Sequence, residues 1–386
     1  MKIAKSLQQI QPSYIREILA AAQTQGVISL AGGLPDGESF PLDLMEDSLN
    51  TLAASPQLFQ YGHTAGYAPL LDYFKQTEQQ PGHHSAIVCT GSQQALDLIA
   101  RAFLNPNDIV VMEAPSYLGA LQVFGLAQAN VQSIQQRADG PDLAQLEAKF
   151  ATGEVVMFYA VPDFHNPTGV CWSLEVRQKV AQLCIQYNVT LIEDVPYREL
   201  RFNGQALPLT SSFCPDNSLV LRSFSKIATP GIRLGLLTGK TDWINPLIKV
   251  KQSSDLHSSV PMQAVLLDLL KHPNFDKHLA KLRDLYQKRY LALTEQLSQK
   301  LPAGCQFNTV DGGMFIWLTV PDCNTYQLAQ AAIDNNVAVV PSAVFYQQGE
   351  TVEPALRLNF TNASESELAT AVDRLVTAIN ESCKPI

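Results

Sequence analysis

Short apolar, β-branched runs punctuate the first two-thirds of the chain, at 86–90, 109–113, 131–135, 155–160, 189–195, 219–224 and 234–238. Most are continuously apolar rather than alternating, which predicts strands covered on both faces. Helical patterns fall between them, clearest at 92–104 and 174–187. The alternation predicts an α/β domain built on a mainly parallel sheet of these seven strands. From 275 to 301 apolar residues recur at Leu279, Leu282, Tyr286, Tyr290, Leu293, Leu297 and Leu301, in steps of three or four. That is one long amphipathic helix. Beyond it, runs at 307–310, 314–320, 337–340 and 356–361, with helical stretches near 326–335 and 365–380, predict a smaller α+β unit. Pro12, Gly32, Gly33, Pro35 and Pro41 make the first forty residues an irregular arm with one short helix around 15–22. The expected organisation is an arm over 1–40, a large domain over 41–280 and a small domain over 281–386.

A length of 386 residues fits two or three domains. Hydrophobic residues make up 46% and charged residues 16%, enough apolar material for a large core and too little charge for a disordered chain. The net charge of −9 repels phosphate backbones and anionic lipid, which argues against nucleic-acid or membrane-surface binding. An anionic substrate would need a few local arginines to attract it. No apolar run approaches the roughly 18 residues of a membrane span. The run at 18–22 follows Arg16 and Glu17, so it does not read as a signal peptide. Seven scattered cysteines with no C-x-x-C argue against a disulfide framework or zinc module and for a reduced, cytoplasmic protein. The seven histidines show no metal spacing, so no metal is expected, and Trp172, Trp243 and Trp317 read as packing residues.

Candidate chemistry gathers where strands end. Gly91 and Ser92 stand between a strand and a helix, where a glycine admits close backbone approach and free N–H groups suit a phosphate. Taken alone, this is only a helix cap. The run Ser223-Phe224-Ser225-Lys226 follows another strand, with Arg233 seven residues after the lysine. Neighbouring cations and partial burial lower a lysine's pKa and free its amine, although a Ser-x-Ser-Lys turn by itself is an ordinary loop. Asp194 ends the run at 189–195, at the edge where parallel sheets bind ligands. A carboxylate there needs a cationic partner; otherwise it caps a turn. Asn166-Pro167-Thr168-Gly169 follows the run at 155–160 as a turn, and the Asn166 amide there can donate to a phenolate or carboxylate oxygen.

Four such junctions on one sheet make a pattern. With Ser29-Leu30-Ala31-Gly32-Gly33-Leu34-Pro35, Gln60-Tyr61-Gly62 through Gly66-Tyr67, Ala114-Pro115-Ser116-Tyr117 and Leu356-Arg357-Leu358-Asn359-Phe360, the chain resembles the class I/II aminotransferases. These are pyridoxal-5′-phosphate (PLP) enzymes of fold type I. Within them it looks most like the aminoadipate/kynurenine branch, which is related to the effector domains of MocR-type regulators. The resemblance spans nearly the whole chain.

It implies roles residue by residue. Lys226 resembles the Schiff-base lysine, and Asp194 the aspartate that keeps the pyridine nitrogen protonated. Asn166 and Tyr197 resemble the pair that hydrogen-bonds the ring's phenolic oxygen, and Tyr117 the residue stacked on the ring. Gly91, Ser92, Gln93, Ser223, Ser225 and Arg233 look like the phosphate cradle, and Tyr61 like the tyrosine reaching the phosphate across a homodimer interface. Arg357 resembles the arginine that takes the substrate α-carboxylate by a bidentate fork, with Gly33 and Asn166 beside it. Arg16, on the arm, is similar in place to a residue that meets substrate side chains. His165 stands where the family often has Gln, and Val195 where it often has an acidic or small residue; neither is expected to do chemistry, and His165 is expected behind the site or at the surface.

The activity implied is ping-pong amino transfer between an L-amino acid and a 2-oxo acid, with glutamate and 2-oxoglutarate as one pair. Two alternatives keep the fold: a MocR-type sensor, and a PLP lyase or decarboxylase. The sensor would need a helix-turn-helix ahead of the arm motif, which begins at Ser29 and leaves little chain for one.

Overall fold

The computed structural model describes residues 1–8, 18, 24–78 and 81–383. The arm helix expected around 15–22, and Arg16 with it, lies outside these residues, apart from Ile18, which is buried. In the rest of the arm, β1 (Ile28–Ser29) runs out toward the small C-terminal unit.

The seven runs form the strands expected: β2 (His84–Cys89), β3 (Ile109–Ala114), β4 (Asn130–Arg137), β6 (Val155–Ala160), β7 (Thr190–Asp194), β8 (Ser218–Ser223) and β9 (Gly235–Lys240). An eighth, β5 (Gly140–Pro141), is a two-residue edge too short to register in a sequence pattern. Its antiparallel pairing with the end of β4 closes that side of the sheet, whose order is β2-β9-β8-β7-β6-β3-β4-β5. Strands β4, β3, β6, β7 and β8 are parallel neighbours, and β9 runs antiparallel between β8 and β2. The carboxyl ends of β2, β3, β6, β7 and β8 therefore meet at one edge, which is where ligands bind in such sheets.

Continuous apolarity has the predicted cause. One face of the sheet packs on the helices Gly91–Phe103 and Leu118–Leu126 through Leu96, Ile99 and Phe124. The other packs on Leu143–Phe150 and Leu174–Tyr187 through Phe150, Val180 and Leu183, with Trp172 stacked on Phe158 at 6.0 Å. The 174–187 helix starts where the Ser173 side chain accepts from the Val176 N–H and stops at Asn188 in the left-handed region.

The helix Phe275–Lys300 buries Leu279, Leu282, Tyr286, Tyr290, Leu293 and Leu297 along one stripe. After it, β10 (Gln306–Phe307), β11 (Phe315–Thr319), β14 (Ala355–Asn359) and β13 (Val340–Pro341) form an antiparallel sheet. The run at 337–340, read as one strand, is two. Its first half, β12 (Val337–Ala338), pairs in parallel with β1 of the arm, and only the second half joins the sheet. The split ties the arm to the C-terminal unit, a long-range pairing that the local pattern does not carry. The expectation of seven free thiols is also corrected. Cys323 and Cys383 form a disulfide across 60 residues, because the helix Glu365–Ser382 returns its end to the start of Thr325–Asp334.

Candidate active site

A cavity of about 500 Å³ opens at the shared carboxyl edge. Gly91, Ser92 and Gln93 enter from the β2–helix junction, Tyr117 from beyond β3, and Asn166 from beyond β6. Asp194 comes from the end of β7 and Tyr197 from the turn after it, Ser223 from the end of β8, and Ser225, Lys226 and Arg233 from the β8–β9 connection. Gly33 of the arm and Arg357 of β14 complete it. The cavity thus gathers every described residue expected to bind cofactor or substrate except Tyr61. Tyr61 is 79% exposed, outside the cavity, with its ring edge-on to His257.

Asp194 is buried, and both of its oxygens accept hydrogen bonds, from Ser92 Oγ at 2.9 Å and Tyr159 Oη at 3.1 Å. Burial raises its carboxyl to about 6, partly offset by these two donors. Nothing in the local sequence marks Tyr159. It sits at the end of β6 facing Asp194 on the neighbouring strand, a cross-strand relation that only the register Tyr159↔Ile192 fixes.

Lys226 Nζ donates to the Gly33 carbonyl at 2.6 Å. Burial, then the Arg357 and Arg233 charges, lower the amine to about 8. Arg233 donates to Ser225 Oγ at 3.4 Å and the Thr90 carbonyl at 3.2 Å, in a left-handed backbone conformation. Gly91 also has positive φ, +79°, and a Cβ there would lie 2.9 Å from the Arg233 guanidinium. A side chain at 91 would fill the space between helix N-terminus and arginine, which suits a phosphate. Tyr117 Oη donates to Gln93 Oε1 at 3.1 Å, and Gln93 Nε2 to the Gly119 carbonyl at 3.0 Å. Burial pushes the Tyr117 hydroxyl up to about 12.

Arg357 is buried between the Phe315 and Phe345 rings, 4.4 and 5.0 Å from their centroids. It donates to Asn166 Oδ1 at 2.7 Å and the Ala31 carbonyl at 2.6 Å, while its Nε is buried without a partner. The first bond fixes the Asn166 amide so that Nδ2 points to Tyr197 Oη at 3.4 Å. Burial holds the Arg357 guanidinium down at about 10 and raises the Tyr197 hydroxyl well above its usual value. Behind Asn166, buried Arg177 donates to both Asp163 oxygens, at 2.7 and 3.3 Å, and anchors the turn. His165, expected behind the site or at the surface, is fully enclosed: Nδ1 lies 3.1 Å from Thr168 Oγ1, and burial drives the ring down to about 3.

The cavity therefore offers an amine with a lowered pKa, a buried carboxylate, a cationic and hydroxyl-rich end for a phosphate, and a guanidinium for a carboxylate. The profile of the family described as "Aminotransferase class I and II" matches residues 25–375. The chain belongs to that family.

Among its relatives, this aminotransferase is 34% identical to the aromatic-amino-acid aminotransferase 1 of Thermococcus litoralis, over 97% of this chain and 93% of that one. It superposes on the Pyrococcus horikoshii kynurenine aminotransferase, solved with PMP, with a TM-score of 0.93 at 34% identity, covering 98% and 97% of the two chains. The α-aminoadipate aminotransferase of Thermus thermophilus, solved with N-(5′-phosphopyridoxyl)-L-leucine, gives 0.90 at 32% identity and the same coverage. The likeness places the chain in the aminoadipate/kynurenine branch of fold type I, with PLP as cofactor. Among the described residues no helix is long and apolar enough to cross a membrane.

Proposed function

We propose that the enzyme moves an amino group between an L-amino acid and a 2-oxo acid in two half-reactions, with glutamate and 2-oxoglutarate as one pair. The observation that carries the reading is the convergence of Lys226, Asp194 and Arg357 on one cavity. The donor set fits the cofactor. Gly91, Ser92, Gln93, Ser223, Ser225 and Arg233 would hold the phosphate, and Asp194 the ring nitrogen. Tyr197 and Asn166 would take the phenolic oxygen, and Tyr117 the ring face. When bound, the cofactor supplies an electron sink that accepts charge from the substrate's α-carbon.

The protein's own part is proton transfer and orientation. The Lys226 amine, lowered to about 8, is partly free near neutrality and slightly above, and its Nζ takes and returns the α-proton. Arg357 binds the α-carboxylate. Its unpartnered Nε and its bond to the Ala31 carbonyl mark donors that a carboxylate satisfies, and fixing that group orients the Cα–H bond. Asp194, ionised above about pH 6, would offer the ring nitrogen a buried carboxylate partner.

Three further statements belong to this proposal. Residues 41–280 and 281–386 act as two domains joined at the 275–300 helix. Tyr61, exposed in one chain, serves the phosphate of a partner copy in a homodimer. The setting is cytoplasmic, on composition alone. A sensor or lyase reading has no observation in the cavity that favours it over transfer.

The test is a panel of amino donors against 2-oxoglutarate, with wild type and Arg16→Ala. The reading expects glutamate and 2-aminoadipate to react and Arg16→Ala to raise their KM about tenfold or more, the loss of a charge-assisted hydrogen bond. Leucine should be affected far less. Equal losses for both classes make Arg16 a support for the arm, and no transfer from any donor sinks the reading.

A further inference from the structure

Ligand spacing along the sequence shows no metal site, but the fold brings two histidines and an aspartate together from two loops. At the amino ends of β2 and β8, roughly 17 Å of strand away from the cavity edge, His83, His84 and Asp216 face one another. His83 Nε2 lies 2.7 Å from Asp216 Oδ1, and His84 Nε2 lies 3.5 Å from the same oxygen. All three donor atoms fall within 4.8 Å of one another.

His84 is the telling member. Its side chain is only 9% exposed, and its Nε2 is buried with no hydrogen-bond partner. An unsatisfied buried nitrogen carries a desolvation cost that a ligand removes. The three residues are held on fixed backbone. The His83 carbonyl accepts from Thr241 N at 3.0 Å and Thr241 Oγ1 at 2.9 Å; His84 pairs with Lys240 across β2 and β9; Asp216 sits in the short turn Pro215–Asn217.

We propose that His83, His84 and Asp216 bind one divalent transition ion of the zinc type. Two imidazoles and one carboxylate suit such an ion, with water in the fourth position. Bonds of about 2.0–2.1 Å set tetrahedral ligand atoms about 3.4 Å apart, within the range seen here. The ion replaces the His83–Asp216 hydrogen bond; with the ring neutral, the displaced Nε2 proton is carried on Nδ1, and none is released. Lys240 adds an opposing charge beside the cluster, tempered because its ammonium lies over the Trp243 ring at 4.7 Å. The bound ion clips the start of edge strand β2 to the turn before β8, across β9. By linkage it stabilises the folded chain.

The holoenzyme, treated with EDTA and moved to phosphate-free buffer, is titrated with ZnCl2 by calorimetry. The proposal expects one ion per chain, with affinity falling about tenfold or more in His83→Ala, His84→Ala and Asp216→Asn, since even outer partners of a metal cost that much. Zn2+ should raise the unfolding midpoint of wild type and not of the variants. Amino transfer without added metal should be the same in all. Asp216 and His83 are exposed, so Asp216→Asn and His83→Ala report even if His84→Ala does not fold. No uptake by wild type overturns the proposal, as does uptake that Asp216→Asn and His83→Ala leave unchanged.

Discussion

Asp194→Asn should make the cofactor-free enzyme more stable while weakening its hold on cofactor. The Asp194 carboxyl is buried, with the Ser92 and Tyr159 hydroxyls as its partners among the described residues. Its ordinary value of 3.8 rises to about 6 in the fold. At about 1.36 kcal/mol per pH unit, ionised Asp194 costs the folded state about 3 kcal/mol above pH 6. The sign follows from linkage. A raised folded pKa means that the native chain binds the proton more tightly, so this stability is whole below pH 3.8 and is lost as pH rises through 6. An asparagine carries no charge and can still accept one of the two hydroxyl protons. Urea unfolding of the cofactor-free protein, at equal chain concentration, should favour Asp194→Asn by about 3 kcal/mol at pH 8 and about half of that at pH 5. Cofactor affinity should fall in the same variant. A variant no more stable than wild type at pH 8, or a gap that does not shrink with acid, would refute the argument that this carboxylate is held at a cost for the ring nitrogen.

Other expectations follow from the same cavity. Borohydride treatment of the holoenzyme should label one peptide, containing Lys226; Lys226→Ala should keep noncovalent cofactor but lose the label and turnover, and labelling at another lysine contradicts the assignment. Arg357→Lys removes the planar fork held between Phe315 and Phe345. It should lower kcat/KM by about 10- to 100-fold, with a much smaller change in unfolding midpoint. Tyr159→Phe deletes a donor that lowers the Asp194 pKa. Loss of cofactor on acidification should then begin at higher pH, with affinity at neutrality down about tenfold; an unshifted profile would leave Tyr159 a packing residue.

Much of this was legible because local pattern and local function coincide. A strand buried on both faces must be apolar along its length, so most of the large-sheet strands announce themselves, and most of the chemical residues sit at or near the turns that end them. Lys226, Asp194, Asn166 and Arg233 needed no knowledge of the sheet order, since all parallel strands deliver their carboxyl ends to one edge. What stayed hidden depends on register between distant segments. Tyr159 reads as one more apolar-run residue until the pairing of β6 with β7 turns it toward Asp194. The split at 337–340 depends on β1, more than 300 residues earlier. Cys323 with Cys383, and His83 and His84 with Asp216, are likewise pairs that only the folded chain brings together. Tyr61 stays outside the cavity, exposed and edge-on to His257.

Half-reactions at one lysine-bearing cavity can be tested directly by a single-turnover experiment. Holoenzyme mixed with excess glutamate and no oxo acid should release one equivalent of 2-oxoglutarate per chain and lose its visible absorbance band, which pyruvate or another 2-oxo acid should restore with formation of the matching amino acid. Release of carbon dioxide or free ammonia instead, or no 2-oxoglutarate until a second substrate is present, would contradict it.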